Sequence, residues 1–179
     1  MSKLGNYLLK IRNKYFHKNK NTTNRQIISY SKANNIGILF HLKPEENHHA
    51  LNQFVHDLEK EGKNITALTF FDNLGSNPYN FQFDFFQEKD ISYFGSIQSE
   101  QVNKFIAQPF DYLFCITLED FSPFDSILLN SQAKYRVGLY QPNKENYYDM
   151  MIKLRENDRN ISTFIKEMWK YTKLLSGQN

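Results

Sequence analysis

The amino-acid sequence predicts an α/β protein: one three-layer domain on a mostly parallel sheet, with a basic amphipathic helix ahead of it. Three observations lead there. From Asn35 onward, short apolar runs rich in β-formers alternate with segments whose apolar residues recur at helical spacing. The first strand, helix and strand are joined by short connections, as a parallel crossover requires. Residues 1–44 contain no acidic side chain, which sets residues 1–26 apart as a cationic arm on a domain spanning 27–179.

Within the arm, Leu4, Leu8, Ile11 and Tyr15 share a narrow stripe of a helical wheel, and Lys3, Lys10, Lys14 and Lys18 occupy the strip beside it. The pattern predicts an amphipathic helix of roughly 16 residues. It ends where Asn19, Asn21, Thr22, Thr23 and Asn24 compete for backbone hydrogen bonds.

Asn35–His41 is too short for a helix and reads as a buried strand closed by Pro44. Leu51, Phe54, Val55 and Leu58 then give a helix over residues 45–61, with Gly62 placed as its C-cap. Residues 65–71 form the second strand and residues 73–80, with Gly75, Asn77 and Pro78, a loop. Phe81–Phe86 alternates aromatic and polar residues as a strand with one wetter face. Ser99 is placed to cap a helix running to Gln108, and Pro109 stops it.

Residues 110–117 form the most strand-like run and predict a central strand covered on both faces. A helix over 123–132, a strand over 135–140 and an edge strand over 147–154 follow. From Ile161, the residues Phe164, Ile165, Met168, Trp169, Thr172 and Leu175 recur at helical spacing with Lys166, Lys170 and Lys173 outward, so this helix should dock on the sheet. The whole is Rossmann-like in its alternation.

The composition supports a globular domain. Of 179 residues, 40% are hydrophobic and 23% charged, with 7 Gly and 5 Pro, which excludes collagen-like and low-complexity chains. No apolar run approaches the roughly 18 residues of a membrane span, and mean hydropathy is -0.63. Residues 1–44 hold nine of the 22 Lys/Arg and none of the 19 Asp/Glu, so a +9 segment precedes a remainder of −6. Such a segment seeks polyanions: RNA, DNA, anionic lipid or an acidic protein surface. In the alternative its apolar stripe packs on the domain and its lysines are simply solvated. Cys115 cannot form an internal disulfide, and the N-terminus lacks a signal-peptide pattern; both predict a cytoplasmic protein.

Catalytic motifs are mostly missing. The turn after the first strand, His41-Leu42-Lys43-Pro44-Glu45-Glu46, has two acids and no glycine where a dinucleotide site needs Gly-x-Gly-x-x-Gly. The P-loop, Gly-x-Ser-x-Gly, His-Glu-x-x-His and paired Cys-x-x-Cys patterns are absent too. Glu45, His49 and His56 share helical spacing, but no third and fourth ligand completes a metal set. The expectation is therefore no cofactor and no metal. Glu119, Asp120 and Asp125 follow the central strand and form a candidate cleft, as an acid/base pair or as caps of the next helix. Cys115 reads as a core thiol. Tyr147, Tyr148 and the Phe-rich 81–86 stretch read as core or as base-stacking rings.

The segments Asn35-Ile-Gly-Ile-Leu-Phe, Glu59-Lys-Glu-Gly-Lys-Asn-Ile-Thr-Ala-Leu, Phe83-Asp-Phe-Phe, Phe105-Ile-Ala-Gln-Pro-Phe-Asp-Tyr-Leu, Tyr135-Arg-Val-Gly-Leu-Tyr and Tyr147-Tyr-Asp-Met-Met-Ile occur in this order. Together they resemble a family of short Bacteroidota α/β proteins with a Lys-rich N-terminal extension. That resemblance covers nearly the whole chain and implies fold and compartment more than activity. Over about residues 105–142, the Phe-Asp-Tyr-Leu strand, the helix and Ala133-Lys-Tyr-Arg-Val-Gly are similar to the first domain of heptosyltransferase-type glycosyltransferases. Those enzymes use a second, nucleotide-sugar-binding domain, for which 179 residues leave no room.

The function expected from these features is a non-enzymatic, ribosome-associated protein that docks on structured RNA or a ribonucleoprotein. Its nucleic-acid-binding residues would be Lys3, Lys10, Arg12, Lys14, Lys18, Lys20 and Arg25. The alternatives are a peripheral membrane-surface protein using the same helix and a small glycosyltransferase-like enzyme or degenerate relative.

Overall fold

The computed structural model describes residues 25, 27–41, 48–71, 82–92 and 96–175. Its sheet has six strands: β1 (Asn35–His41), β2 (Asn64–Phe70), β3 (Asp84–Phe86), β4 (Tyr112–Ile116), β5 (Tyr135–Leu139) and β6 (Met150–Ile152). They are ordered β3-β2-β1-β4-β5-β6, and every neighbouring pair is parallel. Among the described residues four α-helices cover it: α1 (His48–Lys60), α2 (Glu100–Ala107), α3 (Ser122–Asn130) and α4 (Ile161–Leu174). The expected three-layer, Rossmann-like α/β domain is what the chain forms, and the sheet is parallel throughout.

Period-two geometry divides the central strands between two cores. Ile36, Ile38 and Phe40 of β1 and Tyr112, Phe114 and Ile116 of β4 face α1 and α4, where Phe54, Leu58, Phe164 and Met168 are buried. Leu39, Leu113 and Cys115 face α2 and α3, packing with Val102, Phe105, Phe124 and Leu128. Covered on both sides, β1 and β4 have no polar face, which is why their sequences are continuously apolar.

The chain steps from β1 to β2 in one direction and from β4 to β5 to β6 in the other. Crossovers of one hand then fall on opposite sheet faces, α1 on one and α3 on the other.

Local chemistry sets the helix ends. Gly62 has φ 73°, the left-handed conformation that a helix C-cap favours. Ser99 Oγ accepts from the Val102 N–H at 3.3 Å, and Asn160 Oδ1 from the Thr163 N–H at 2.9 Å. Gln108, the residue before Pro109, is extended, and α2 ends at Ala107.

The expected strand over 81–86 is described only as Asp84–Phe86, with Phe85 exposed and Phe86 buried. The edge strand expected over 147–154 shrinks to three residues, because Tyr147 and Tyr148 belong to the crossover before it. That β5-to-β6 crossover contains no helix. In its place Tyr148 lies against Gly138, so closely that a Cβ there would meet the ring at 2.2 Å. Only a residue without a side chain lets the phenol fill this space.

Asp111 staples the starts of three strands. Its Oδ2 accepts from the backbone N–H groups of Asn34 (2.8 Å) and Asn35 (3.0 Å), and its Oδ1 from Lys134 Nζ (2.8 Å). Burial works to raise its carboxyl pKa; the Lys134 ammonium and the two N–H groups outweigh it and hold the group below its usual value. A depressed carboxylate stabilises the fold above its unfolded pKa of about 3.9, and that stabilisation disappears as pH falls through the lower folded value. Asp111→Asn should therefore lose stability at neutral pH and shallow the acid limb of the stability curve below about pH 4. Urea midpoints measured across that range test this; parallel curves for the two proteins would exclude the role.

Candidate functional site

The strand order reverses between β1 and β4, and in open parallel sheets the place for a ligand is beyond the carboxyl ends of the strands at that reversal. Here β1 ends in His41, whose ring stacks on Phe121 at 4.8 Å with edge contacts to Phe70 and Phe124. Beyond β4, Thr117 Oγ1 accepts from the Glu119 N–H at 3.2 Å, and Arg159 Nη2 donates to the Leu118 carbonyl at 2.7 Å.

Of the candidate cleft residues, the structure brings Asp120 and Asp125 together and leaves Glu119 exposed in the turn. A lysine absent from the expected set joins them. Lys144 Nζ donates to Asp120 Oδ1 at 2.9 Å and Asp125 Oδ2 at 2.5 Å, and it sits 4.8 Å from the Tyr147 ring centroid. Its side chain is 12% exposed and that of Asp125 only 8%. Burial works to lower the Lys144 pKa, and the two carboxylates outweigh it and raise it. An ammonium held in this way ties both carboxylates to the loop after β5.

Cys115 is fully buried in β4, and its thiol is pushed up to about 12, mainly by burial and despite a Tyr148 hydrogen bond that works the other way. A thiol so protonated is a poor nucleophile. His49 and His56 are exposed on α1. Among the described residues no three His, Cys, Asp or Glu side chains gather as a metal site.

At the opposite, amino-terminal edge of the sheet lies Arg25, the one residue of the basic arm that is described. Lys3, Lys10, Arg12, Lys14, Lys18 and Lys20 lie outside the described residues. Arg25 lies within them. Its Nη1 donates to Asp149 Oδ2 at 3.2 Å, and the same oxygen accepts from the Arg136 N–H (2.8 Å) and Nε (3.2 Å). Arg136 is 3% exposed, and its two Nη atoms donate to the carbonyls of Leu128 and Asn146. Burial lowers its pKa, and Asp149 opposes that shift.

Three further contacts fasten the arm's exit. Tyr112 Oη donates to the Ile28 carbonyl. The Tyr30 N–H donates to the Leu175 carbonyl at 3.4 Å, and Trp169 Nε1 to Tyr30 Oη at 3.0 Å. Tyr30 in turn donates to Glu61, and its phenol pKa is raised first by burial and then by that carboxylate.

A single family profile runs from residue 6 to residue 175. The chain belongs to DUF6913, a family of unknown function. The DUF6913 match starts inside the arm and closes one residue beyond α4, so it takes in both the cationic segment and the helix that holds its exit. Searches of the curated proteins and of the solved structures found no match to the chain.

Sequence reasoning missed Lys144, Arg136 and Asp149. Arg136 carried a readable signal: an arginine inside the apolar strand Tyr135-Arg136-Val137-Gly138-Leu139 demands a carboxylate partner. Lys144 carried none, since it lies in a Pro- and Asn-containing loop 24 residues from Asp120.

Proposed function

We propose that this chain is a non-enzymatic cytoplasmic binding protein that docks on structured RNA, as free RNA or in a ribonucleoprotein, through its basic arm. The charge partition carries the reading: nine Lys/Arg and no acid through residue 44, against a net −6 over the rest. Lysine and arginine neutralise phosphates and release condensed counterions, which gives affinity without base readout. The body supports the role as a rigid mount. It fixes the arm's exit through Arg25, Ile28 and Tyr30, while the acids at the opposite end of the sheet are taken up by Lys144.

Binding of a structured RNA should weaken by at least about a hundredfold between 50 and 200 mM salt if five or six phosphates are engaged. Removing residues 1–24 keeps the Arg25 anchor and should abolish binding. Filter binding with both proteins reads the effect directly. Equal RNA affinity with and without the arm would overturn the proposal, as would binding to phosphatidylserine-containing vesicles with none to RNA.

A further inference from the structure

We infer that the outward face of α4 is the body's share of the same phosphate-binding surface, an inference that rests on the RNA-docking reading above. Lys166, Lys170 and Lys173 recur at spacings of four and three on this helix, and all three are exposed. Tyr171 lies among them, 45% exposed, with Lys170 Nζ 5.1 Å from its ring centroid.

The carboxylates facing this row are Glu167, at 3.4 Å from Lys170 Nζ, and Glu61, at 2.7 Å from Lys173 Nζ. Lys173 also lies 3.7 Å from the Trp169 ring centroid, so its head is held in place over the seam between α4 and the arm's exit. The helix itself carries three lysines and one acid.

Position makes this row more than a solvated face. Tyr30 bonds the carbonyl of Leu175 and the indole of Trp169, so the chain leading out of the arm is seated on the last turn of α4. The lysine row therefore ends beside Tyr30, a few residues along the chain from Arg25 and the cationic segment. Lys166 and Lys170 stand on the flank of the helix, clear of the partial negative charge that its carboxyl end carries over the last turn. Their spacing lets successive ammonium groups follow a phosphate backbone along the helix, and Tyr171 presents a ring face on which an unpaired base can stack.

The test uses the full chain with its arm intact. Lys166→Gln/Lys170→Gln and Lys166→Glu/Lys170→Glu alter exposed positions only, and circular dichroism and melting temperature verify that the fold is kept. RNA affinity should fall about tenfold or more, and for the glutamine pair the slope of log affinity against log salt should shrink by about two. If wild-type protein binds RNA and both variants match it in affinity and slope, α4 lies outside the interface while the arm proposal stands. If wild-type protein binds no RNA, the function proposed above fails and this inference with it. Loss of anionic-vesicle binding with RNA binding unchanged would also overturn it.

Discussion

Gly138→Ala is expected to destabilise the protein by about 3 kcal/mol, at the upper end of the range for overpacking a close-packed core. The added Cβ would lie 2.2 Å from Tyr148 Cε1, 2.5 Å from Cζ and 2.7 Å from Cδ1, all inside contact distance. These are atoms of a rigid ring, so no flexible tip can swing aside. The phenol lies beside the Cys115 thiol, and burial first, with that thiol second, raises its pKa well above the ordinary value. Moving the ring would break this contact and open the helix-free crossover between β5 and β6. Urea denaturation of Gly138→Ala measures the loss. In Gly138→Ala/Tyr148→Leu the two costs should fall well short of additive, because the smaller side chain leaves room for the new methyl group. A Gly138→Ala protein as stable as wild type would show that Tyr148 has another place to go.

The second large effect is expected at Asp149. Arg136 is buried in the sheet, and Asp149 is the carboxylate that offsets its charge while also accepting from its backbone N–H. Asp149→Ala leaves the guanidinium buried with only the carbonyls of Leu128 and Asn146 for partners. Breaking one side of a buried ion pair costs about 3–5 kcal/mol. The Asp149 side chain is 19% exposed, so water screens part of the loss and the lower value, about 3 kcal/mol, is the expectation. Replacing both members, as in Asp149→Ala/Arg136→Met, should recover much of it, since no charge is then left buried in the sheet and Arg25, 20% exposed, turns to water. Chemical denaturation of the two variants checks both statements; a loss under about 1 kcal/mol for Asp149→Ala would mean that solvent serves Arg136 in its place.

The structure also separates the two ends of the sheet in chemical role. At the carboxyl end, Lys144 holds Asp120 and Asp125 in ion pairs and closes the loop after β5 onto α3. At the amino end, Asp111 ties three strands together, and the arm's exit is pinned by Arg25, Ile28 and Tyr30. The described residues contain no helix long and apolar enough to cross a membrane.

Much of this architecture was legible in the chain. The two-sided burial of β1 and β4 was written in their unbroken apolar runs, and Gly62 and Ser99 marked their helix ends by the backbone chemistry they favour. The shortened β6 was less legible. Tyr147 and Tyr148 suit a strand by propensity, but packing against the α2/α3 core uses them instead to span a crossover without a helix.

What the sequence by itself determined is the type and order of the elements, the apolar faces that bury them and the acid-free arm. All of these depend on neighbours a few residues apart, through the helical and strand periods and the caps. Only the tertiary structure decided the strand order, the placing of the arm's exit on α4, and the pairing of Arg136 with Asp149 and of Lys144 with Asp120 and Asp125. Those contacts join residues from 13 to more than 100 positions apart, and no local period encodes them. They exist because the sheet order folds particular loops against one another, and a charge carried out of water settles on the partner that the fold brings within reach.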